Sequence, residues 1–356
     1  MKIIACHLLN DYSGSPKVLS QLIKGWVNCK IDVSIVTCDG RNGFLSNIDN
    51  VNYDTYSYKW TANKYKRLVN FSWSQVLLFF KILRLAKKED IVYVNTILPF
   101  GSALAGKLKG CRVIYHVHET SMKPAILKWF LFKVLKLTAD DVIYVSQYLS
   151  KQESIPNKKT HVLYNAIDNS FLEQAQKNIK QESDYKNILM VSSLKTYKGV
   201  FEFVTLAKLN PTLNFKLVVN ASQIEIDSFF EHTILTKNIT VFPTQSNTHP
   251  FYAWADVVLN LSRPDGWIET FGLTIIEAMA YKLPVIVPPI GGITELVEDK
   301  ENGYLIDCRN LEHISDKLNE LLNDKSLYKS MQFSASKRLS FFNEDSFIKN
   351  SLEMLS

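Results

Sequence analysis

Two glutamates and the short segment between them carry the strongest chemical signal in the sequence. Glu269 and Glu277 stand eight residues apart, and Thr270-Phe-Gly272 precedes an apolar helical pattern over about 273–282. The first amides of a helix lack intrahelical acceptors and carry a partial positive charge, so they bind phosphate. The spacing therefore fits a sugar and a ribose on either side of a diphosphate. The structural alternative is an amphipathic helix capped by Glu269.

The wider motif narrows this chemistry to one family. Glu269-Thr-Phe-Gly-Leu-(x3)-Glu-Ala-Met-Ala is followed by Leu283-Pro-Val-Ile-Val287 and Gly291-Gly-Ile-Thr-Glu-Leu296. This string resembles the retaining nucleotide-sugar glycosyltransferases of family 4. The resemblance implies the α/β fold called GT-B, in which two doubly wound Rossmann-like domains face a cleft.

The opening of the chain has the pattern of a doubly wound α/β domain. An apolar strand at Lys2–Leu9 leads into the loop 10–16, a helical pattern and a second strand at Asp32–Thr37. The loop contains one glycine, Gly14, where the family usually has a glycine-rich loop. We predict an acceptor-side domain at 1–165, a polar linker at 166–186, a nucleotide-sugar domain at 187–340 and a C-terminal helix at 341–356 that returns to the first domain.

Two stretches of the first domain mix lysines with aromatic residues. Tyr53–Trp73 shows no clear period at its start and is interpreted as a long loop that enters a helix at about Ser74–Lys88. Lys123–Leu137 is predicted to be a helix with Lys128, Lys133 and Lys136 among large apolar side chains. Basic amphipathic segments bind anionic membrane surfaces, but they also pack against sheets, and the sequence leaves both alternatives open.

The second domain begins with a segment that the family uses to bind the diphosphate. In the family it reads Gly-Arg-Leu, three residues, then Lys-Gly, with the Arg and the Lys on the phosphates. Lys198 and Gly199 match, whereas Ser193 stands at the Arg position. Lys198 is therefore predicted to be the main cation of this segment, with Arg263 as a second candidate.

The end of the Arg112–His118 strand allows two interpretations. His116 and His118 share one strand face and Glu119 follows, which is a conceivable metal-ligand set. Family 4 members often carry a His followed by Asp or Glu at this strand end, and the resemblance implies that His118 contacts the donor sugar or its phosphate. A histidine buried in the core is the third alternative.

The resemblance assigns roles to residues at matching positions. Glu269 would bind donor-sugar hydroxyls, Glu277 the ribose, and the backbone at Pro243 and Thr244 would border the base. The predicted catalytic residues are His118, Lys198 and Glu269. The predicted donor-binding residues are Gly14, Ser193, Pro243, Thr244, Arg263, Thr270, Phe271, Gly272, Leu273 and Glu277. No metal site and no cofactor are predicted, because the strand-end Asp-x-Asp of metal-dependent glycosyltransferases is missing.

Composition limits the cellular setting. The 356 residues include five cysteines, an odd number without close pairing, which favours a reducing compartment. Residues 1–165 hold 23 Lys and Arg against 11 Asp and Glu, a net charge of +12 within a chain of net +6. No nucleic-acid-binding signature accompanies this charge. We expect no signal peptide, because the apolar run after Lys2 ends at Asn10-Asp11. We also expect no membrane-spanning helix, since no stretch reaches about 18 uninterrupted apolar residues.

These observations lead to one expected function. The protein is expected to transfer a sugar from a UDP- or GDP-sugar to an acceptor hydroxyl with retained anomeric configuration. The acceptor would be a glycan or a polyprenyl-diphosphate-linked glycan for a surface polysaccharide such as O-antigen or capsule, at the inner face of the cytoplasmic membrane. The alternatives are a sugar-nucleotide epimerase of the same fold, a glycosidase with two carboxylates and an inactive nucleotide-sugar-binding partner subunit.

Overall fold

The computed structural model of the protein describes residues 2–179 and 186–356. The chain divides into two compact units, each with its own parallel sheet. One unit runs to Tyr164 and takes in Asp345–Ser356, and the other is Asn165–Glu344. Both units have the Rossmann-like α/β architecture that the sequence predicts.

The first unit contains a seven-stranded parallel sheet with helices between its strands. Its elements are β1 (Lys2–Cys6), α1 (Gly14–Asn28), β2 (Asp32–Cys38), β3 (Asn52–Tyr56), α2 (Lys64–Leu85), β4 (Ile91–Asn95), α3 (Phe100–Lys109), β5 (Arg112–Val117), α4 (Ala125–Thr138), β6 (Asp141–Tyr144), α5 (Gln147–Gln152) and β7 (Lys159–Val162). The strand order is β3-β2-β1-β4-β5-β6-β7. The direction of strand addition reverses between β1 and β4, where such sheets bind ligands beyond the strands' carboxyl ends.

The second unit has a six-stranded parallel sheet. Its elements are α6 (Asn169–Lys177), β8 (Asn187–Ser192), α7 (Val200–Leu209), β9 (Asn214–Val219), α8 (Gln223–Phe230), β10 (Ile239–Phe242), α9 (His249–Trp254), β11 (Val257–Leu259), α10 (Leu273–Ala280), β12 (Val285–Val287), β13 (Gly303–Leu305), α11 (Leu311–Asn323) and α12 (Lys325–Leu339). The order β10-β9-β8-β11-β12-β13 places the reversal between β8 and β11. Its central strands β8, β11 and β12 are rich in buried Ile, Leu and Val, as is typical of parallel strands that are covered on both faces.

The last helix, α13 (Glu344–Leu355), belongs mostly to the first unit. Trp26 of α1 donates its indole N–H to Ser351 Oγ at 3.0 Å. Arg112 at the start of β5 donates to the Leu355 carbonyl at 2.7 Å. A buried hydrogen bond and an arginine on the last carbonyls of the helix thus fix α13 to this unit.

The aromatic and basic stretch interpreted as a long loop is instead a strand and the first turns of a helix. β3 occupies Asn52–Tyr56, and α2 begins at Lys64, ten residues before the predicted start. Asn63 caps the helix by accepting from the amides of Tyr65 and Lys66 at 3.0 and 3.1 Å. The helical period was hidden because α2 carries apolar side chains on its exposed face as well as on its buried one.

Helix α2 also bears on the prediction that the chain has no membrane-spanning helix. Within the described residues, α2 alone has the length and composition to cross a membrane, with a mean hydropathy of 1.2 and 28% of its apolar window buried. The expectation that no helix spans a membrane stays a prediction; it counted only uninterrupted apolar residues, whereas α2 meets this criterion although polar residues interrupt its apolar run. One helix of this kind is weak evidence of a span, since core helices of soluble proteins meet the same criterion.

The predicted linker contains a helix. Asp168 accepts from the amides of Ser170 and Phe171 at 2.9 and 3.2 Å and starts α6, which forms part of the second unit. The polar composition of this segment gave no helical pattern of apolar residues, because the one fully buried side chain of α6 is the small Ala175. Residues 180–185 of the predicted linker lie outside the described residues.

Candidate functional site

An ion pair lies just beyond the carboxyl ends of β8 and β11 in the second unit. Lys198 Nζ is 2.5 Å from Glu269 Oε1, and the two side chains are 15% and 16% exposed. The same carboxylate oxygen accepts from Ser262 Oγ at 2.7 Å and from Asn260 Nδ2 at 3.4 Å. The structure therefore brings two of the predicted catalytic residues together at the point where the strand order reverses.

The backbone around Gly199 explains why Lys198 lies beside Glu269. Gly199 has φ of +75°, and a Cβ there would lie 2.1 Å from the Leu261 carbonyl oxygen. Only glycine permits this close approach between the segment after β8 and the segment after β11. The Arg263 amide then donates to the Tyr197 carbonyl at 2.8 Å and fixes the register of the two segments.

Glu269 is held from its backbone side by the glycine pair that follows β12. Gly291 has φ of +105°, and a Cβ on it would lie 2.4 Å from the Glu269 carbonyl oxygen. The next amide, of Gly292, donates to that carbonyl at 2.8 Å. The Gly-Gly turn of the sequence motif thus allows the backbone to pack directly against Glu269.

The ion pair keeps Glu269 charged. Burial acts to raise the pKa of Glu269, but the Lys198 ammonium and the hydrogen bonds from Lys198, Ser262 and Asn260 outweigh it, so the pKa lies below its usual value. The resulting site has an anionic oxygen that can accept from hydroxyl groups and an adjacent ammonium that can bind phosphate oxygens.

Two aromatic rings cover one side of this pair. The Trp267 and Tyr197 rings stack at 5.5 Å with an angle of 18°. Lys198 Nζ lies 4.8 Å from the centre of the Trp267 ring, a cation–π distance. The aromatic cover excludes water from one face of the ammonium, and charge interactions strengthen where water is excluded.

Arg263 lies near this cluster but is bound to other carboxylates. Its guanidinium is 3.2 Å from Asp265 and 3.6 Å from Glu202. Its side chain is 39% exposed. These two carboxylates balance the positive charge of Arg263 on the outer side of the segment. Arg263 is therefore a weaker candidate for a second phosphate ligand than Lys198.

The predicted phosphate-binding helix forms as α10. Gly272 precedes it, Leu273 is its first residue, and Thr270 and Phe271 connect it to Glu269. Phe271 is buried and packs edge-on against Phe342 at 5.8 Å. The amino end of α10 and Glu269 are therefore consecutive parts of one segment, which is the arrangement that the motif predicts.

Glu277 lies inside α10 and is 7% exposed. Tyr252 of α9 donates its hydroxyl to Glu277 Oε2 at 2.7 Å. Tyr252 is fully buried and stacks on Tyr281 at 5.8 Å. Burial and the adjacent Glu277 carboxylate raise the pKa of Tyr252 far above its usual value, so this hydroxyl remains a hydrogen-bond donor.

The other predicted donor-binding residues of this unit lie in loops after strands. Ser193 directly follows β8, and Pro243 and Thr244 directly follow β10. Thr244 donates its amide to the Ala221 carbonyl at 2.9 Å, which joins the loops after β9 and β10. Because the sheet is parallel, all these loops lie at the same edge as Lys198 and Glu269.

A second polar cluster lies at the reversal point of the first unit's sheet. Asn95, at the end of β4, places Nδ2 3.1 Å from the Ser15 carbonyl and Oδ1 3.0 Å from His118 Nε2. Only the amide nitrogen can donate to a carbonyl, so Oδ1 accepts a hydrogen bond from the N–H of His118 Nε2. Asn95 therefore sets the tautomer of His118 and ties it to the segment containing Gly14, the first residue of α1.

The histidines of this cluster are neutral. Burial lowers the pKa of His116 to about 3 and that of His7 to about 4. Burial, followed by the neighbouring His116 and His7, lowers the pKa of His118 well below its usual value. Burial also raises the pKa of Glu119 to about 7. Neutral imidazoles can bind a ligand by hydrogen bonds, but they carry no positive charge that would attract a phosphate.

The structure does not assemble His116, His118 and Glu119 as a metal site. Tyr93 hydrogen bonds to His116 Nδ1 at 2.9 Å, and the His116 ring is fully buried. Across residues 2–179 and 186–356, no group of three His, Cys, Asp or Glu side chains is arranged to hold a metal ion.

Several residues of these clusters escaped sequence reasoning. Asn95, Asn260 and Ser262 end or follow strands, Tyr252 lies in α9, and Trp267 lies in the loop before Glu269. A polar residue at the carboxyl end of a predicted parallel strand is the signal that could have identified Asn95 and Asn260. Nothing in the sequence could have shown that Tyr252 faces Glu277.

Comparison with known proteins follows this division of the chain. The family described as Glycosyl transferases group 1 matches residues 172–338, and Glycosyltransferase Family 4 matches residues 12–171. The chain is a glycosyltransferase of the GT-B fold, and its two halves are similar to these two families. This confirms the predicted fold class and the predicted transferase class.

Relatives of this glycosyltransferase are named for different activities. N-acetyl-alpha-D-glucosaminyl L-malate synthase of Bacillus anthracis is 26% identical over 316 residues, 82% of this chain and 80% of that protein. The capsular polysaccharide biosynthesis glycosyltransferase CapM of Staphylococcus aureus is 26% identical over 337 residues, 87% of this chain and 85% of its own length. Among solved structures, HepE of Anabaena with UDP and glucose has a TM-score of 0.80 at 19% identity, covering 100% of this chain and 99% of HepE.

Proposed function

We propose that the glycosyltransferase uses a nucleoside-diphosphate sugar and transfers the sugar with retained configuration. The observation that carries this proposal is the Lys198–Glu269 pair, 2.5 Å apart and continuous with the amino end of α10. Lys198 and the first amides of α10 would bind the diphosphate, and Glu269 would accept from hydroxyls of the donor sugar. UDP is the favoured nucleotide, because the similarly folded HepE has been solved with UDP-glucose.

The chemical demand on such a site is modest. The nucleoside diphosphate leaves with its electron pair, so the site must stabilise charge on the departing phosphate and align the acceptor hydroxyl. Lys198 sits next to an aromatic cover and can provide that charge stabilisation. We propose that no metal takes part. Glu277 would bind the ribose through the carboxylate that Tyr252 orients. The roles of His118, Gly14, Ser193, Pro243 and Thr244 stay predictions.

We further propose that the acceptor is a lipid-linked glycan of a surface polysaccharide, met at the inner face of the cytoplasmic membrane. The similarity to CapM, named for capsular polysaccharide biosynthesis, supports a polysaccharide product. The basic and aromatic first unit supports an acceptor on an anionic surface. The malate synthase relative shows that small soluble acceptors also occur among similar chains.

A transfer assay tests the proposal directly. Purified protein is incubated with radiolabelled UDP- and GDP-sugars and with polyprenyl-diphosphate-linked or soluble acceptors. Release of the nucleotide with labelled product, and an NMR coupling constant that matches the donor anomer, would support retaining transfer. Conversion of the sugar nucleotide to its epimer without nucleotide release would contradict it, as would a complete lack of binding to every sugar nucleotide.

A further inference from the structure

Three neighbouring helices of the first unit form one surface, which we name the α2–α4 surface. Helices α2 and α3 pack together, and α3 packs on α4. A chain of edge-on aromatic contacts joins them, with Phe71 of α2 5.9 Å from Phe100 of α3 and Phe100 5.3 Å from Phe130 of α4. The outer sides of the three helices are therefore parts of a continuous face.

This face concentrates the exposed apolar residues of the protein. Of the 23 large hydrophobic side chains that are exposed among the described residues, 12 lie on these helices. They are Tyr65, Leu68, Val69, Trp73, Val76, Phe80, Leu104, Leu108, Ile126, Trp129, Phe130 and Leu137. An exposed apolar area of this density marks an interaction surface.

Helix α2 has two apolar faces. Residues at 71, 75, 78 and 82 are buried against the unit, and Gly101 of α3 donates its amide to Gln75 at 3.1 Å across that contact. Tyr65, Val69, Trp73, Val76 and Phe80 recur at the same helical spacing and are exposed. The two sets lie on nearly opposite sides of the helix, because successive residues turn by about 100°. Packing of the helix therefore does not account for the outer stripe.

The charges of this face have one sign. The three helices, of 22, 10 and 14 residues, contain ten Lys or Arg and no Asp or Glu. Lys81, Lys107 and Lys128 pair with carboxylates of neighbouring elements. Lys133 lies over the Trp129 ring at 4.9 Å, so a cation and an exposed indole share one patch. Lysines beside exposed tryptophan and phenylalanine match the boundary between lipid headgroups and acyl chains.

We propose that the α2–α4 surface docks on an anionic lipid bilayer, with α2 lying in the plane of the membrane. The exposed aromatic and aliphatic stripe would enter the boundary between headgroups and acyl chains, and Lys133 and Lys136 would contact anionic headgroups. A bilayer fits better than a nucleic acid, because Leu, Ile and Val side chains gain nothing from a phosphate backbone. It fits better than a second copy of this chain, because the three helices carry ten cationic residues and only three of these are paired with carboxylates in the contacts above, so two such surfaces would repel each other.

One lysine of this region is unsuitable for testing the idea. Lys128 Nζ is 2.5 Å from Glu153 and also donates to the Thr120 carbonyl at 2.8 Å. Its replacement by glutamate would place two carboxylates together and disturb the loop after β5. The electrostatic variant should therefore be the double change Lys133→Glu, Lys136→Glu. The apolar variant is Trp73→Glu, Phe80→Glu, at side chains that are 63% and 57% exposed.

The experiment is sedimentation of the full chain with vesicles of phosphatidylglycerol and phosphatidylcholine, and with phosphatidylcholine alone. Wild type should sediment with the anionic vesicles at low salt and be released as salt screens the contact. Reversing two lysine charges should weaken partitioning by about thirtyfold or more. The apolar variant should also lose binding. Ile224→Glu, Ile234→Glu, at two 81% exposed positions of the second unit, is the matched control and should bind like wild type.

Three results would overturn the proposal. Wild type could remain in the supernatant with anionic vesicles, or the control variant could lose as much binding as the α2–α4 variants. Wild type could instead elute as a lipid-free dimer that Trp73→Glu, Phe80→Glu dissociates, which would assign the surface to a second copy. Nucleotide-sugar hydrolysis in the same samples separates the two proposals, since variants that lose lipid binding should keep hydrolysis at the wild-type rate.

Discussion

Replacing Lys198 by methionine tests the central electrostatic feature of the second unit. The change removes the charge but keeps much of the side-chain volume, so it isolates the interaction with Glu269. Breaking a buried ion pair on one side costs about 3–5 kcal/mol. Both side chains retain 15–16% exposure, and Ser262 and Asn260 still donate to the carboxylate, so we expect the lower end of that range. The expected loss is about 3 kcal/mol at neutral pH.

The dependence of this loss on pH follows from the pKa of Glu269. In wild type that pKa is lowered, so Glu269 stabilises the fold at pH values above its unfolded pKa of about 4.3 and loses this contribution as the pH falls through the folded pKa. Without Lys198, burial dominates and the pKa rises. The variant should therefore show its largest deficit at neutral pH, and the deficit should shrink in acid, where both proteins protonate Glu269.

Differential scanning calorimetry measures this effect. For a unit of this size, about 3 kcal/mol corresponds to a fall in Tm of about 6–12 °C. The matched control is Lys195→Met, which removes the same charge from an exposed position three residues earlier and should leave the Tm nearly unchanged. Transfer by Lys198→Met should fall more than tenfold, a loss of about 1.4 kcal/mol or more of transition-state stabilisation. An unchanged Tm, or an equal deficit at pH 5 and pH 7.5, would refute the ion-pair argument. Retained turnover would refute the phosphate role.

Four further outcomes are expected. Glu277→Ala should raise the Kd for the sugar nucleotide, measured by calorimetry, more than it lowers kcat, because a ribose contact is made equally in ground and transition states; an unchanged Kd with collapsed kcat would contradict that role. Gly291→Ala should cost about 1–3 kcal/mol of stability and lower turnover, because its φ is +105° and its Cβ would meet the Glu269 carbonyl; wild-type kinetics would show that the turn is not needed. Asn95→Asp places a carboxylate beside His118 Nε2 and should raise the pKa of that ring, so activity should be lost at a higher pH in acid than in wild type; an unmoved pH profile would remove His118 from the reaction. Transfer should survive EDTA, and activity lost with chelator and restored by magnesium or manganese would overturn the metal-free proposal.

Local sequence patterns determined much of the fold. Short runs of Ile, Val and Leu mark strands of parallel sheets because such strands are buried on both faces. The strands predicted at Asp32–Thr37 and Arg112–His118 are found at Asp32–Cys38 and Arg112–Val117. The segment around Glu269 was also readable, since the glutamate, the glycine and the helix start are consecutive in the chain. Such features depend on neighbours within a few residues, which a sequence displays directly.

The tertiary structure decided what these residues touch. Lys198 and Glu269 are 71 residues apart in sequence, and they meet only because Gly199 lets two strand ends approach. The orientation of His118 by Asn95 and of Glu277 by Tyr252 likewise depends on neighbouring strands and helices. Helix α2 was misread for the same reason: its two apolar faces look alike in sequence, and only packing against α3 shows which one is buried. Side-chain contacts between distant segments arise from strand order and helix packing, which no local pattern specifies.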